Sequence, residues 1–210
     1  TTIPHLRFWK WASENYRQVL MIAGNHEFYN NGDIAVQGES WQKMFLTNVG
    51  YYHNKVVRVD NVDFILSTLW SRIPVVDEFA IQNGMNDYSQ ILYNKRRLIP
   101  QNINDEFEKN FAFIQRAVKE SDAEKIVVVT HHLPTISALE QRHFGDVLNA
   151  AYATELGNYI ADSRISAWIY GHSHHSTDLM IDNTHLVSNP LGYVFCGENA
   201  DFNDSAVIEV

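Results

Sequence analysis

Along the 210 residues, short runs rich in Val, Ile and Leu alternate with longer stretches in which apolar side chains return every three or four positions. That alternation is the pattern of an α/β domain, where buried strands are covered by one-faced helices. Runs 19–23 (VLMIA), 126–130 (IVVVT) and 167–170 (AWIY) read as strands buried on both faces, because neither face is polar. Runs 56–59 and 62–69 read as a strand pair about the turn Asp60-Asn61. Runs 178–182 and 184–188 form a second pair about Asp182-Asn183, and 206–210 reads as a last strand. Residues 6–15 follow Pro4, which suits a helix start. The clearest helix is 104–119, where Phe107, Phe111, Ile114 and Val118 share one face and Asn104 with Asp105 can cap the first turn. Residues 40–46 and 148–160 also read as helices. Residues 71–102, rich in Asn, Asp, Gly and Pro, read as irregular and too long for a plain connection. The expectation is one domain over 1–210 with a lid or mobile insert at about 71–103.

Charge narrows the candidate functions. Lys and Arg number 16 against 25 Asp and Glu, a formal net charge of −9, which argues against a broad nucleic-acid or anionic-membrane binder because both need a basic footprint. The one cysteine, Cys196, excludes an internal disulfide and a cysteine-cluster metal site, and is expected to be a small buried residue. With no bilayer-length apolar run and no leader-like start, the expectation is a cytoplasmic protein.

Ten histidines remain, and six of them fall in three loops, each at the carboxyl end of an expected strand. Run 19–23 leads into Gly24-Asn25-His26-Glu27, run 126–130 into His131-His132-Leu133-Pro134, and run 167–170 into Gly171-His172-Ser173-His174-His175. Open α/β sheets bind ligands beyond the carboxyl ends of their strands, so the three loops can converge. In an extended loop, His172 and His174 point the same way and can face one metal ion or two adjacent ones. Adjacent His131 and His132 face opposite sides, so one of the two is expected in a site. Asn25 can ligate through its amide oxygen, and His26 can give a proton to a leaving group while Glu27 orients it. Arg72, just past a strand end, and Arg142, in the loop after Pro134, are candidate substrate contacts. His143 can border the same pocket. The basic turn Lys95-Arg96-Arg97 is expected to be solvated, and Tyr193 and Phe195 to sit in a strand-end core.

Together the three loops resemble the calcineurin-like metallophosphoesterase superfamily. The resemblance runs from about residue 19 to the C-terminus, with closer likeness at 130–134, 189–193 and 207–210 to a bacterial branch of uncharacterised phosphohydrolases. It implies a two-sheet αββα sandwich and a phosphate mono- or diester hydrolase. It further implies two divalent metal ions, of Mn, Fe or Zn, and a bridging hydroxide that attacks phosphorus. By the same resemblance Asn25, His131 and His172 hold one ion and His174 helps hold the other. His132 is the alternative to His131, because the spacing to Pro134 allows either. His26 assists the leaving group, and Glu27, His132 and His175 support the ligands. The implied partner is a phosphorylated small molecule or nucleotide. The family's Asp-x-His and Gly-Asp elements should precede Gly24, yet residues 1–23 contain no Asp. Three readings follow: an N-terminal segment with the missing strands lies outside this sequence, the scaffold is a degenerate binding module, or Asp33, Asp87 or Asp146 substitutes.

Overall fold

The computed structural model, which describes residues 6–210, is a mixed α/β fold. Pro4 and His5 lie outside those residues. In chain order the elements are α1 (Leu6–Asn15), β1 (Val19–Met21), β2 (Trp41–Leu46), β3 (Val49–His53), β4 (Lys55–Val59), β5 (Val62–Leu66), α2 (Glu78–Gly84), α3 (Asp87–Gln90), β6 (Leu92–Tyr93), β7 (Arg96–Arg97), α4 (Pro100–Glu120), β8 (Lys125–Val129), α5 (Asn149–Tyr152), α6 (Gly157–Ala161), β9 (Ala167–Ile169), β10 (Thr177–Ile181) and β11 (Thr184–Ser188). No helix among the described residues is long and apolar enough to cross a membrane.

The larger sheet has the order β10-β11-β9-β8-β5-β4, and the smaller β1-β3-β2. Strands β5, β8, β9 and β11 are mutually parallel, so their carboxyl ends lie along one edge of the fold. Ile126, Val127 and Val128 of β8 are buried on both faces, as expected for the centre of a parallel sheet. Helix α4 carries Phe107, Ile114 and Val118 into the core that Ile65, Ile126 and Val128 form on the sheet. It begins at Pro100, four residues ahead of the predicted start, because Pro suits a first turn and holds Ile99 extended.

Four expectations fail on tertiary grounds. Residues 40–46 were read as a helix, but 41–46 form β2. Gln42, Lys43, Met44 and Leu46 favour helix locally, yet Thr47 and Asn48 turn the chain so that β2 pairs with the buried strand β3. The helix expected over 148–160 is interrupted between α5 and α6. There the Leu133 N–H bonds the Tyr152 carbonyl at 3.0 Å and the Thr154 N–H bonds the Leu133 carbonyl at 3.1 Å, so the loop after β8 takes the backbone groups a helix would use. Residues 206–210 form no strand, and Val207 is exposed. Residues 71–102 are not irregular: they hold α2, α3, the β6–β7 hairpin and the start of α4, and bury Ile73, Ile81, Ile91 and Leu98. Asn94 and Lys95 turn the hairpin with positive φ, and the Asp33 carboxylate accepts both of their backbone N–H groups at 3.0 and 2.8 Å.

One buried charge anchors the far end of the sheet. Asp63 of β5, 3% exposed, faces its cross-strand partner Arg58, whose guanidinium forks onto both carboxylate oxygens. Ser121 donates a further hydrogen bond at 2.6 Å. The Arg58 bond holds the Asp63 carboxyl below its ordinary range. A group with a depressed folded-state pKa stabilises above its unfolded value, about 3.9, and loses that contribution as pH falls through the folded value. Asp63→Asn is therefore expected to cost about 1–3 kcal/mol above about pH 5. The difference from wild type should shrink as pH drops below about 4, measured by urea unfolding across that range.

Candidate functional site

The parallel pairing of β8 and β9 aligns Val129 with Ile169. The chain then leaves each strand at the same level, and the Gly171 N–H bonds the His131 carbonyl at 3.1 Å. Thr68, beyond the end of β5, accepts the N–H groups of both His131 and His132 on its carbonyl, at 3.0 and 3.3 Å. Its hydroxyl donates to the Ala23 carbonyl at 2.9 Å, which ties the loop after β1 to the larger sheet. Gly24 follows, and its missing side chain is a requirement: a Cβ there would stand 2.5–2.8 Å from the ring atoms of His131. Glu27 folds back to accept the Gly24 N–H at 2.7 Å, and Phe28 is buried close to Trp70.

These constraints bring three ligand-type atoms together on one wall of a cleft of about 810 Å³. His131 Nε2 lies 3.0 Å from Asn25 Oδ1 and 3.1 Å from His172 Nδ1. Neighbouring ligands of a first-row divalent ion stand about this far apart when each is about 2.1 Å from the metal. Burial, reinforced by the neighbouring histidines, drives His131 down to about 3 and holds His172 well below its ordinary value. Both rings are therefore neutral at physiological pH and carry a free lone pair, the form that binds a metal. His172 Nε2 is buried with no hydrogen-bond partner, and the ring stacks on Tyr152 at 4.6 Å. The donor set, an amide oxygen and two imidazole nitrogens, suits a borderline divalent ion. Among the described residues no three His, Cys, Asp or Glu side chains form such a group; the ligand-type atom beside the two rings is the amide oxygen of Asn25.

His132 turns inward: it is buried against Trp70 and His172, so of the two adjacent histidines it is His131 that faces the cleft. His172 and His174 both line the cleft, but the loop is not extended; each has a positive φ, 69° and 52°. His174 Nδ1 is 2.8 Å from Glu198 Oε2, which also accepts the Tyr193 N–H at 2.6 Å. These contacts, the Tyr193 N–H foremost, hold the Glu198 carboxyl below its usual value. His26 stacks on Tyr29 at 4.3 Å and has its Nε2 3.3 Å from the Tyr193 hydroxyl. Asp87 Oδ1 accepts from Asn25 Nδ2 at 2.9 Å and from the Tyr29 hydroxyl at 2.7 Å.

Of the residues singled out from sequence, Asn25, His26, Glu27, His131, His172, His174, Arg142 and His143 line the cleft. Arg142 is tied to Glu140 at 2.8 Å. Arg72 does not reach the cleft; its guanidinium turns to Glu108 at 3.6 Å. His175 is not part of the lining. Asp33 is used by the β6–β7 turn, and Asp146, although in the cleft wall, accepts the Leu148 N–H. Cys196 and Phe195 are exposed rather than buried, because residues 194–196 form a surface turn. Tyr193 is no core residue but part of the cleft wall. Sequence reasoning missed Tyr29, Tyr152 and Glu198. Tyr29 had a signal, three positions after His26 in a turn; Tyr152 and Glu198 had none.

Comparison with known proteins bears on the family and the fold. A family model described as calcineurin-like phosphoesterase matches residues 4–176. Uncharacterized protein L509 of Acanthamoeba polyphaga mimivirus is 26% identical over 221 residues, spanning 97% of this chain and 78% of that protein. The crystal structure of phosphopantetheinyl hydrolase (PptH) from Mycobacterium tuberculosis superposes with a TM-score of 0.55 at 14% identity, over 88% of this chain and 73% of that one. Another crystal structure gives a TM-score of 0.50 at 12% identity, over 87% of this chain and 61% of that one, so this chain spans under two thirds of its length. At such identities the structural likeness speaks to fold.

The burial of His131 is directly measurable. In metal-free protein its imidazole should stay neutral from about pH 8 to about pH 5 in long-range ¹H–¹⁵N spectra, titrating near 3. A midpoint at the ordinary value of about 6.5 would show the ring to be solvated.

Proposed function

The chain belongs to the calcineurin-like phosphoesterase family, and on that scaffold we propose that it hydrolyses a phosphate ester in the cleft with the help of divalent cations. The observation that carries this reading is His131 Nε2 standing 3.0 Å from Asn25 Oδ1 and 3.1 Å from His172 Nδ1, with both rings neutral. These three residues would hold one ion. A bound divalent cation neutralises phosphoryl charge and makes water nucleophilic at neutral pH. It also explains how a chain of net charge −9 accepts an anionic substrate. His174 would serve a second ion through Nε2, since Glu198 engages its Nδ1, a carboxylate–histidine arrangement that orients a ligand. The second ion rests on the family pattern; the described residues supply His174 toward it and no bridging carboxylate.

The rest of the chemistry belongs to the protein's own groups. His26 stands in the cleft wall, braced by Tyr29 and Tyr193, with a ring nitrogen available to a bound ester. As water attacks phosphorus and the P–O ester bond breaks, His26 gives a proton to the departing oxygen, and the proton that the attacking water gives up passes to solvent. Arg142 offers a guanidinium to a second anionic group. Met85 and Asn86, from the segment before α3, also line the cleft, so that segment shapes the space for the organic part of the substrate. The proposed substrate class is a phosphorylated small molecule or a nucleotide, acted on in the cytoplasm.

Metal uptake and hydrolysis test the proposal together. With Mn²⁺ the protein should hydrolyse p-nitrophenyl phosphate or its bis ester, and lose the activity on chelation. Protein expressed from the full natural gene that takes up no divalent ion and cleaves neither ester would be a binding scaffold instead. His26→Ala should lower turnover about 10²-fold or more while metal content, read by plasma mass spectrometry, stays at the wild-type level. His172→Ala should lower metal occupancy, and full occupancy in that variant would remove His172 from the ligand set.

A further inference from the structure

Asn25 is 3% exposed and Asp87 7%, so the contact between them is largely shielded from water. An amide has two ends of opposite character, and the end that faces His131 decides whether Asn25 presents a lone pair or an N–H. A carboxylate only accepts. With Asp87 Oδ1 at 2.9 Å, the Nδ2 end must face Asp87, and the carbonyl oxygen is left toward His131. The reverse orientation would set two oxygens against each other in a buried place and turn an N–H toward the imidazole lone pairs. The same carboxylate oxygen accepts the Tyr29 hydroxyl at 2.7 Å, and the Tyr29 ring is the surface on which His26 stacks at 4.3 Å.

On the reading of the cleft as a cation-assisted phosphoesterase site, we propose that Asp87 is its positioning residue. Through one oxygen it orients the Asn25 amide as an oxygen ligand and fixes the Tyr29 ring against His26.

This role needs Asp87 itself to be held firmly, and it is. The neighbouring Tyr88 and Ile91 are buried in the core. The Asn31 N–H bonds the Gln90 carbonyl at 2.7 Å, the Leu92 N–H bonds the Gly32 carbonyl at 2.8 Å, and Arg97 Nη1 donates to Asn31 Oδ1 at 2.8 Å. Segment 87–97 is thus stapled to the chain that follows Tyr29. Asp87 is no replacement for a bridging carboxylate: its Oδ1 is engaged by Asn25 Nδ2, and it forms no metal-binding group with the histidines.

The test uses the full chain, stripped of metal and titrated with Mn²⁺ alone by calorimetry. Asp87→Ala is expected to weaken Mn²⁺ binding about 10- to 100-fold, the usual cost of losing a ligand's orienting partner. Asp87→Asn, whose amide oxygen can still accept from Asn25, is expected to stay within a few-fold of wild type. Wild-type affinity in Asp87→Ala overturns the proposal. So does an equal loss in both variants, which would assign the effect to the negative charge rather than to orientation. The side-chain amide signals of Asn25 in metal-free protein give a reading that needs neither metal nor the alanine variant. Replacing the charged acceptor by a neutral one in Asp87→Asn should move the Nδ2 proton shifts upfield, and unmoved shifts overturn the proposal. If wild type takes up no Mn²⁺, it is the cation-assisted reading that fails, and the amide shifts alone then judge Asp87.

Discussion

Adjacent parallel strands lie about 4.8 Å apart, and their ends stay in step when the ladder is regular. That spacing, between β8 and β9, governs the rest of this protein. The two strands hand over to His131 and His172 at the same level, and the Gly171 N–H extends the ladder by one more bond to the His131 carbonyl. The apolar runs of both strands are buried, so a register slip would move whole side-chain sets into the wrong layer. The histidine pair thus leaves its strands from neighbouring positions on that ladder.

The third participant comes from the other sheet, and Thr68 is a joint between the two. Thr68 holds both histidine amides on its carbonyl and the Ala23 carbonyl on its hydroxyl. Asn25 is thereby placed against His131 although its own strand, β1, does not touch β8 in the ladder. This arrangement carries a cost. His172 Nε2 and His132 Nδ1 are buried without partners, and an unpaired polar group in the interior costs about 1–3 kcal/mol. His172 and His174 also adopt left-handed backbone angles, which cost a non-glycine residue of order 1 kcal/mol each. The dense Val and Ile packing of the central strands offsets these costs, and polar strain of this kind concentrates where proteins bind or react.

Much of the sheet was legible because strands buried on both faces leave an unmistakable apolar run, as at 126–130. The histidine loops were legible for the same reason, since each closes such a run. What was not legible depends on distant partners. Residues 41–46 carry a helical composition that the β3 pairing overrides, and 148–160 carry a helical period that Leu133 interrupts from another part of the chain. The convergence of His172 and His174 on one cleft was anticipated from an extended loop, whereas the loop is left-handed at both. Arg72 looked available from its place after a strand, but Glu108 of α4 draws it aside. Glu198 and Tyr152 reach the cleft across long stretches of chain, and no local pattern announces such contacts.

Gly24 and His131 are 107 positions apart in the chain, yet one ring fills the volume that any side chain at 24 would need. Every amino acid other than glycine begins with the same Cβ, so no conservative exchange exists at that position while the ring stays where it is. Inheritance therefore acts on the two as a unit. A lineage that abandons the imidazole first is released to vary at 24, and one that varies at 24 first has displaced the imidazole already. The order in which the two positions decay would record how a descendant lost the site, and their effects on stability in the laboratory should be strongly non-additive.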